Sequence, residues 1–343
     1  MIPAILVENL QKNYGTVTAV KNISFQVNTG EIFGLLGPNG AGKTTTLRAL
    51  CSLISVDGGR LEVTGISVLD QPRLARQRLG YIAQEVALDK VLTGRELLQL
   101  QADIYHIPKA RGKERIGEMI DLLNLSNWID QQSGTYSGGI KKRLDLAAGL
   151  LHQPAVLVLD EPTVGLDIES RVTIWDFLRY LQKQGTTVLL TSHYLEEVDA
   201  LADRVAIIDQ GMVIAEGTPN QLKDQVGGDR ITLRIREFSP LTEAESAKQL
   251  LQTLPMVQEV IINTAQGNSL NLVIADRGQA VGETLSKIQT TLQQANLPIF
   301  GIAQARPSLD DVYLAATGRT LLDAELAAVN SRDPKLEKKR NMR

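Results

Sequence analysis

The segment Gly37-Pro38-Asn39-Gly40-Ala41-Gly42-Lys43-Thr44, followed by Thr45, matches the P-loop pattern G-x-x-x-x-G-K-[ST]. No other part of the chain limits the possible fold so sharply. Its glycines let backbone N–H groups curl around a phosphate without interference from a Cβ. A helix that starts there adds free donors and a partial positive charge. Lys43 brings a full charge to the outer phosphate oxygens, and Thr44 offers a hydroxyl to Mg²⁺. The pattern needs a buried strand to enter it and a helix to leave it. Ile32 to Leu36 and Thr44 to Ser52 read as that pair. Such a loop requires an α/β core with a mostly parallel sheet, but does not choose among kinases, GTPases, motors and transporter ATPases.

The rest of the first two-thirds fits that core. Ile5 to Val7, Val156 to Leu159, Val188 to Leu190 and Val205 to Ile208 are short, β-branched-rich runs, several of the kind buried on both sheet faces. Helical patterns cover Gly94 to Tyr105, Glu114 to Leu123, Gly138 to His152 and Ile168 to Gln182, and the pattern from about Leu74 to His152 is mostly helical. A helical subdomain at about 85–152 is therefore expected inside a first domain of residues 1–226. With 343 residues the chain is long enough for a second domain. After Val226-Gly227-Gly228-Asp229 the pattern restarts. Ile231, Leu233 and Ile235 alternate with polar residues. Then come a helix (Thr242 to Leu254), two strands (Val257 to Asn263 and Leu270 to Ile274), a helix (Gln279 to Gln294) and a strand (Ile299 to Ala303). This order predicts a small α+β, ferredoxin-like domain over 229–318. The tail, 319–343, ends polar and basic, with Lys335, Lys338, Lys339, Arg340 and Arg343, and reads as solvated.

Composition excludes several classes. Aromatic residues are 4% of the chain, too few for a binder that works by stacking bases. The net charge of -3 does not suit a chain built to coat DNA or an anionic membrane. One cysteine, Cys51, leaves no intrachain disulfide or cysteine metal cluster, and His106, His152 and His193 are scattered. No stretch approaches the ~18 apolar residues of a membrane span, and Glu8 stands where a signal peptide would be apolar. A soluble chain is expected, held at a membrane only through another protein.

The chemistry concentrates at strand ends. Ala155 to Leu159 leads into Asp160-Glu161. Asp160 is placed to hold Mg²⁺ through water, and Glu161 to orient or deprotonate an attacking water. Ser137, before Gly138-Gly139 and a helix, reads as an N-cap and a second anion-ready helix start. Lys141-Lys142-Arg143, which follows, reads as a solvated helix face.

With Tyr136-Ser137-Gly138-Gly139-Ile140 in place, residues 3–226 resemble the ATP-binding subunits of ABC transporters. Their signature loop reads Leu-Ser-Gly-Gly-Gln, so Tyr136 and Ile140 depart from it. The resemblance implies further roles. Tyr14, in the loop after the first strand, would stack on adenine. Gln84 would contact Mg²⁺ or the attacking water. His193 would touch the γ-phosphate, and Asp167 would lie in the D-loop, where Val164 replaces the commoner Ser or Thr. It also implies ATP and Mg²⁺, a homodimer in which Ser137, Gly138 and Gly139 close on the partner copy's nucleotide, and a separate membrane permease that holds the chain at the cytoplasmic face. No nucleic acid is expected.

Pro307-Ser308-Leu309-Asp310-Asp311-Val312-Tyr313-Leu314 resembles the closing segment of ATPases of daunorubicin-type exporters. Ser308 to Asp311 also reads simply as a capped helix start. The second domain holds no His or Cys, so it is not expected to be catalytic. Dimer stabilisation is the expectation and ligand regulation the alternative. For the whole chain the alternatives are a soluble ABC ATPase acting on nucleic acid or the ribosome, and a nucleotide-sensing regulatory subunit.

Overall fold

The structure is a computed structural model that describes residues 2–226, 230–264, 267–274, 281–305 and 307–330. It divides into two compact units, Met1–Glu216 and Gly217–Arg343. Residues 331–343 of the tail, residues 227–229 and the start of the Gln279 helix lie outside the described residues. The first part of the expected tail is instead a helix, Leu321–Asn330, because its apolar residues Leu321 and Ala324 are buried.

In the first unit the elements run β1 (Ile5–Tyr14), β2 (Val17–Val27), β3 (Ile32–Leu36), α1 (Lys43–Leu50), β4 (Gly58–Val63), β5 (Ile66–Ser67), α2 (Pro72–Gln77) and β6 (Leu79–Ile82). Three helices follow: α3 (Gly94–Ile104), α4 (Lys109–Leu122) and α5 (Gly138–Leu150). The unit closes with β7 (Val156–Asp160), α6 (Ile168–Lys183), β8 (Thr187–Ser192), α7 (Leu195–Leu201), β9 (Arg204–Asp209) and β10 (Met212–Gly217).

The ten strands form one sheet, in the order β5-β4-β1-β2-β10-β9-β3-β8-β7-β6. The half from β9 to β6 is parallel. Every residue of β3, β7 and β8 is buried, because helices cover both faces. The other end is an antiparallel wing in which β1 pairs with β2 and β4. Of its strands, only the start of β1 is expected from the sequence. Exposed Lys21 and Asn22 interrupt β2, but its second half alternates, with Ile23, Phe25 and Val27 buried and Ser24 and Gln26 exposed, a legible signal that the sequence reading missed. β6 is a strand inside the stretch that reads as mostly helical. It is only four residues long, too short to show a period.

In the second unit α8 (Pro219–Gln225), β11 (Arg230–Arg234), α9 (Leu241–Leu251), β12 (Val257–Asn263), β13 (Ser269–Ile274), α10 (Val281–Gln294), β14 (Gly301–Ala305), α11 (Leu309–Thr317) and α12 (Leu321–Asn330) follow. Their sheet has the order β12-β13-β11-β14 and is antiparallel throughout. The first strand of this unit is central and the last lies at its side, as in the ferredoxin-like arrangement. Ala244, Ala247 and Leu251 of α9 and Ile288 and Leu292 of α10 pack into one core with Ile231, Leu233, Leu270 and Leu272. α11 starts with a capping box between Ser308 and Asp311. Asp311 also forms an ion pair with Arg230 at 3.2 Å, and Asp310 Oδ1 accepts from the Leu321 N–H at 2.9 Å. Both carboxylates of this segment are thus engaged inside the domain. Among the described residues, no helix is long and apolar enough to cross a membrane.

Candidate nucleotide site

The P-loop, Gln84, Asp160, Glu161 and His193 sit at the C-terminal ends of four neighbouring parallel strands. The P-loop follows β3, Gln84 lies two residues past β6, Asp160 ends β7 with Glu161 beyond it, and His193 follows β8. The strand ends are aligned: Leu36 pairs with Ser192, Asp160 with Thr191 and Ile82 with Leu159. Open α/β sheets bind ligands at this edge.

The loop itself depends on two glycines. A Cβ at Gly37 would lie 2.2 Å from the Ile208 carbonyl oxygen. Gly42 has φ +108 and leaves no room for a Cβ, 2.8 Å from the Ala19 carbonyl oxygen. Gly42 also stands at the N-cap of α1, which has no side-chain cap and no acidic residue in its first turn. By contrast α3, α5 and α6 are capped by Thr93, Ser137 and Asp167. The uncapped amides of α1 are the donors that suit an anion. Pro38 and Ala41 are buried, while Asn39 and Gly40 are exposed. Thr45 is half-buried and follows Thr44 on the first turn of α1.

Seven side chains then form one connected cluster. Lys43 is 4% exposed. Its Nζ donates to the Gly37 carbonyl at 2.6 Å and lies 3.8 Å from Glu161 Oε1. Thr44 Oγ1 donates to Asp160 Oδ1 at 3.0 Å. Gln84 Nε2 donates to Glu161 Oε2 at 2.9 Å, and His193 Nδ1 lies 3.2 Å from Glu161 Oε1. Sequence reasoning missed one member. Thr191 Oγ1 donates to Asp160 Oδ1 at 2.7 Å and accepts from the Glu161 N–H at 3.0 Å, so it braces both carboxylates. Its signal is a threonine in the apolar run just before Ser192-His193.

Glu161 has a left-handed backbone, φ 47, a costly conformation for a residue with a Cβ. Burial by itself would raise its carboxyl pKa. The His193 ring and the Lys43 charge beside it outweigh that and hold the group below its ordinary 4.5. A depressed carboxylate adds stability that is complete above the unfolded pKa and is lost as pH falls through the folded one. The Glu161 carboxylate's share of the stability gap between wild type and Glu161→Gln is therefore expected to move in the variant's favour as pH falls below 4.5. Urea titrations below that pH check this, and a gap that does not move there contradicts it.

Other residues lie apart from the cluster. Tyr14 is the last residue of β1 rather than a loop residue, because the β1–β2 pairing runs on to Tyr14 and Val17. It is 42% exposed. Ser137 and Gly138 are exposed, and Ser137 caps α5 by accepting from the Ile140 N–H. Gly139 is buried against α6, where a Cβ would come 2.3 Å from Ser170 Oγ. Asp167 is exposed and caps α6 by accepting from the Ser170 N–H at 2.7 Å. The departing residues have local reasons. Tyr136 is buried and its hydroxyl donates to the Trp128 carbonyl at 2.6 Å, and Ile140 is 4% exposed and packs inward. Lys141-Lys142-Arg143 is not the solvated face expected. Lys142 is 3% exposed, because α5 packs its Lys142 side against the residues after β6, where Lys142 Nζ donates to the Ala83 carbonyl at 2.6 Å.

A P-loop on one strand end with paired acids, a glutamine and a histidine on the next three defines an ATP-binding cassette. Residues 20–164 match the family model described as ABC transporter. The chain belongs to the ATP-binding, ATP-hydrolysing proteins of ABC transporters. It is 42% identical over 330 residues to the daunorubicin resistance ATP-binding protein DrrA2 of Streptomyces coeruleorubidus, covering 94% of this chain and 97% of that one. It is 36% identical to the Nod factor export ATP-binding protein I of Ralstonia nicotianae, covering 94% and 96%. A solved ATP binding subunit of an ABC transporter superposes with a TM-score of 0.61 at 27% identity, over 65% of this chain and 93% of that chain.

Proposed function

We propose that this ATPase powers a separate membrane permease in the direction of export, as a homodimer at the cytoplasmic face of the membrane. The observation that carries the mechanism is the cluster around Glu161, a buried carboxylate 2.9 Å from Gln84 and 3.2 Å from His193. Glu161 orients the attacking water and takes its proton, with Gln84 and His193 fixing its rotamer. Lys43 moves from its loop carbonyls to the β- and γ-phosphate oxygens, and Tyr14 stacks on adenine. Catalysis is then mostly positioning and charge stabilisation.

The donor set fits Mg²⁺. Thr44 and Asp160 offer hard oxygen ligands, and Gln84 brings an amide oxygen. Among the described residues no group of three or more His, Cys, Asp and Glu could hold a metal alone. When bound, Mg²⁺ would neutralise charge on the β- and γ-phosphates. The names of the relatives, one for drug resistance and one for Nod factor export, support the direction.

The exposed Ser137-Gly138 turn supports the homodimer, because a second copy can reach it. In that arrangement each nucleotide lies between one copy's Lys43 and the other's Ser137. Neither Lys43→Ala nor Ser137→Arg alone then leaves an intact site, yet their mixed dimer holds one. Equal mixing is expected to restore about a quarter of wild-type ATPase activity, since half the dimers are mixed and each has one good site. A mixture as inactive as its parts would show that Ser137 does not act across the dimer.

A further inference from the structure

We propose that Lys142 is a positioning residue for ATP turnover, tying the helix that begins at Ser137 to the segment that carries Gln84. The inference rests on the roles given above to Gln84 and Glu161. Two contacts already lock α5 onto β6. A Cβ at Gly80 would lie 2.6 Å from the Gly149 carbonyl oxygen, and one at Gly149 would lie 2.4 Å from Ile82 Cδ1. Helix and strand therefore touch at glycines and cannot slide apart without opening a void. Lys142 extends that lock past the end of the strand. Its Nζ donates to the Ala83 carbonyl at 2.6 Å, and the next residue, Gln84, reaches Glu161 at 2.9 Å.

The ammonium is expensive where it stands. Burial lowers the Lys142 pKa, and the charges of Asp145 and Asp160 only partly offset this. Burial pushes Asp145, one turn further along α5, up to about 6 against the pull of Lys142. A Leu or Met would fill the same space without that cost. What the lysine adds is a donor to a carbonyl that the end of β6 leaves unpaired by the sheet. Ser137 caps the same helix five residues earlier. A shift of the first turn of α5 is thus carried through Lys142 to the Ala83–Gln84 peptide and on to Glu161, which makes the signature turn and the water-orienting carboxylate parts of one rigid unit.

The test is a double-mutant cycle on the full chain, read by steady-state ATP hydrolysis. Lys142→Met is expected to lower kcat about tenfold with KM for ATP within about twofold, because a positioning group acts on the transition state and not on binding. Lys142→Arg keeps a donor and should recover most of the rate. In a Gln84→Ala background, Lys142→Met should cost nothing further, since its effect passes through Gln84. A fully additive double variant would show that Lys142 supports only the fold. Wild-type kcat in Lys142→Met alongside an impaired Gln84→Ala would overturn this inference and leave the site reading intact. An unimpaired Gln84→Ala would instead remove Gln84 from the site, and the Lys142 proposal with it. Should Lys142→Met fail to fold, Lys142→Gln, too short to reach the same carbonyl, serves in the same cycle.

Discussion

Glu161→Gln is expected to bind ATP as the wild type does and to hydrolyse it about 10²- to 10⁴-fold more slowly, the range that general-base catalysis supplies. The substitution is nearly isosteric. Its side-chain oxygen can still accept from Gln84 Nε2, the 2.9 Å contact of the wild type. What it removes is the negative charge and the capacity to take a proton. The charge matters to its surroundings: Lys43 Nζ is 3.8 Å away, and both side chains are almost fully buried. The left-handed backbone at Glu161 is costly, which makes sense if it aims the carboxylate at one place. With turnover blocked and nucleotide retained, the dimer should persist in the presence of ATP. Single-turnover hydrolysis and sedimentation with ATP read the two effects separately. Turnover near wild type would take Glu161 out of the mechanism.

Lys43→Ala should fail one step earlier, at nucleotide binding. A hydrogen bond from a charged donor is worth ~1.5–3 kcal/mol, so affinity should fall roughly ten- to a hundredfold. One further loss acts in the same direction. Lys43 Nζ ties the loop together through the carbonyls of Gly37 at 2.6 Å and Pro38 at 3.2 Å. Equilibrium binding of a fluorescent ATP analogue measures the change, and wild-type affinity would contradict it. The two variants thus separate binding from chemistry, Lys43→Ala losing the first and Glu161→Gln only the second.

The nucleotide site was legible in the sequence because its parts are local. Gly37 to Thr44 must be a strand-loop-helix turn, since only that backbone presents Lys43 and the α1 amides to a phosphate. Asp160-Glu161 and His193 each follow an apolar run, so their places at strand ends follow from the runs. The strand-helix order after residue 229 announces the elements of the second unit, but their sheet order rests on non-local pairing, since β11 pairs with β13 and β14 and not with β12, the next strand in the chain.

Other features depend on contacts between distant segments. Thr191 braces Asp160 only because β7 and β8 lie side by side, and 31 residues of chain separate the two. Lys142 looks like one charge in a solvated run. It is buried because α5 lies on β6, which brings it to Ala83, 59 residues away. The short β6 carries no period strong enough to announce it, since its partner rather than its own pattern holds it in place. The sequence by itself determined which candidate side chains stand at each strand end, because a turn and its side chains are set by a few neighbouring residues. Only the tertiary structure decided which of those ends meet and what braces them, because packing joins residues that the chain keeps far apart.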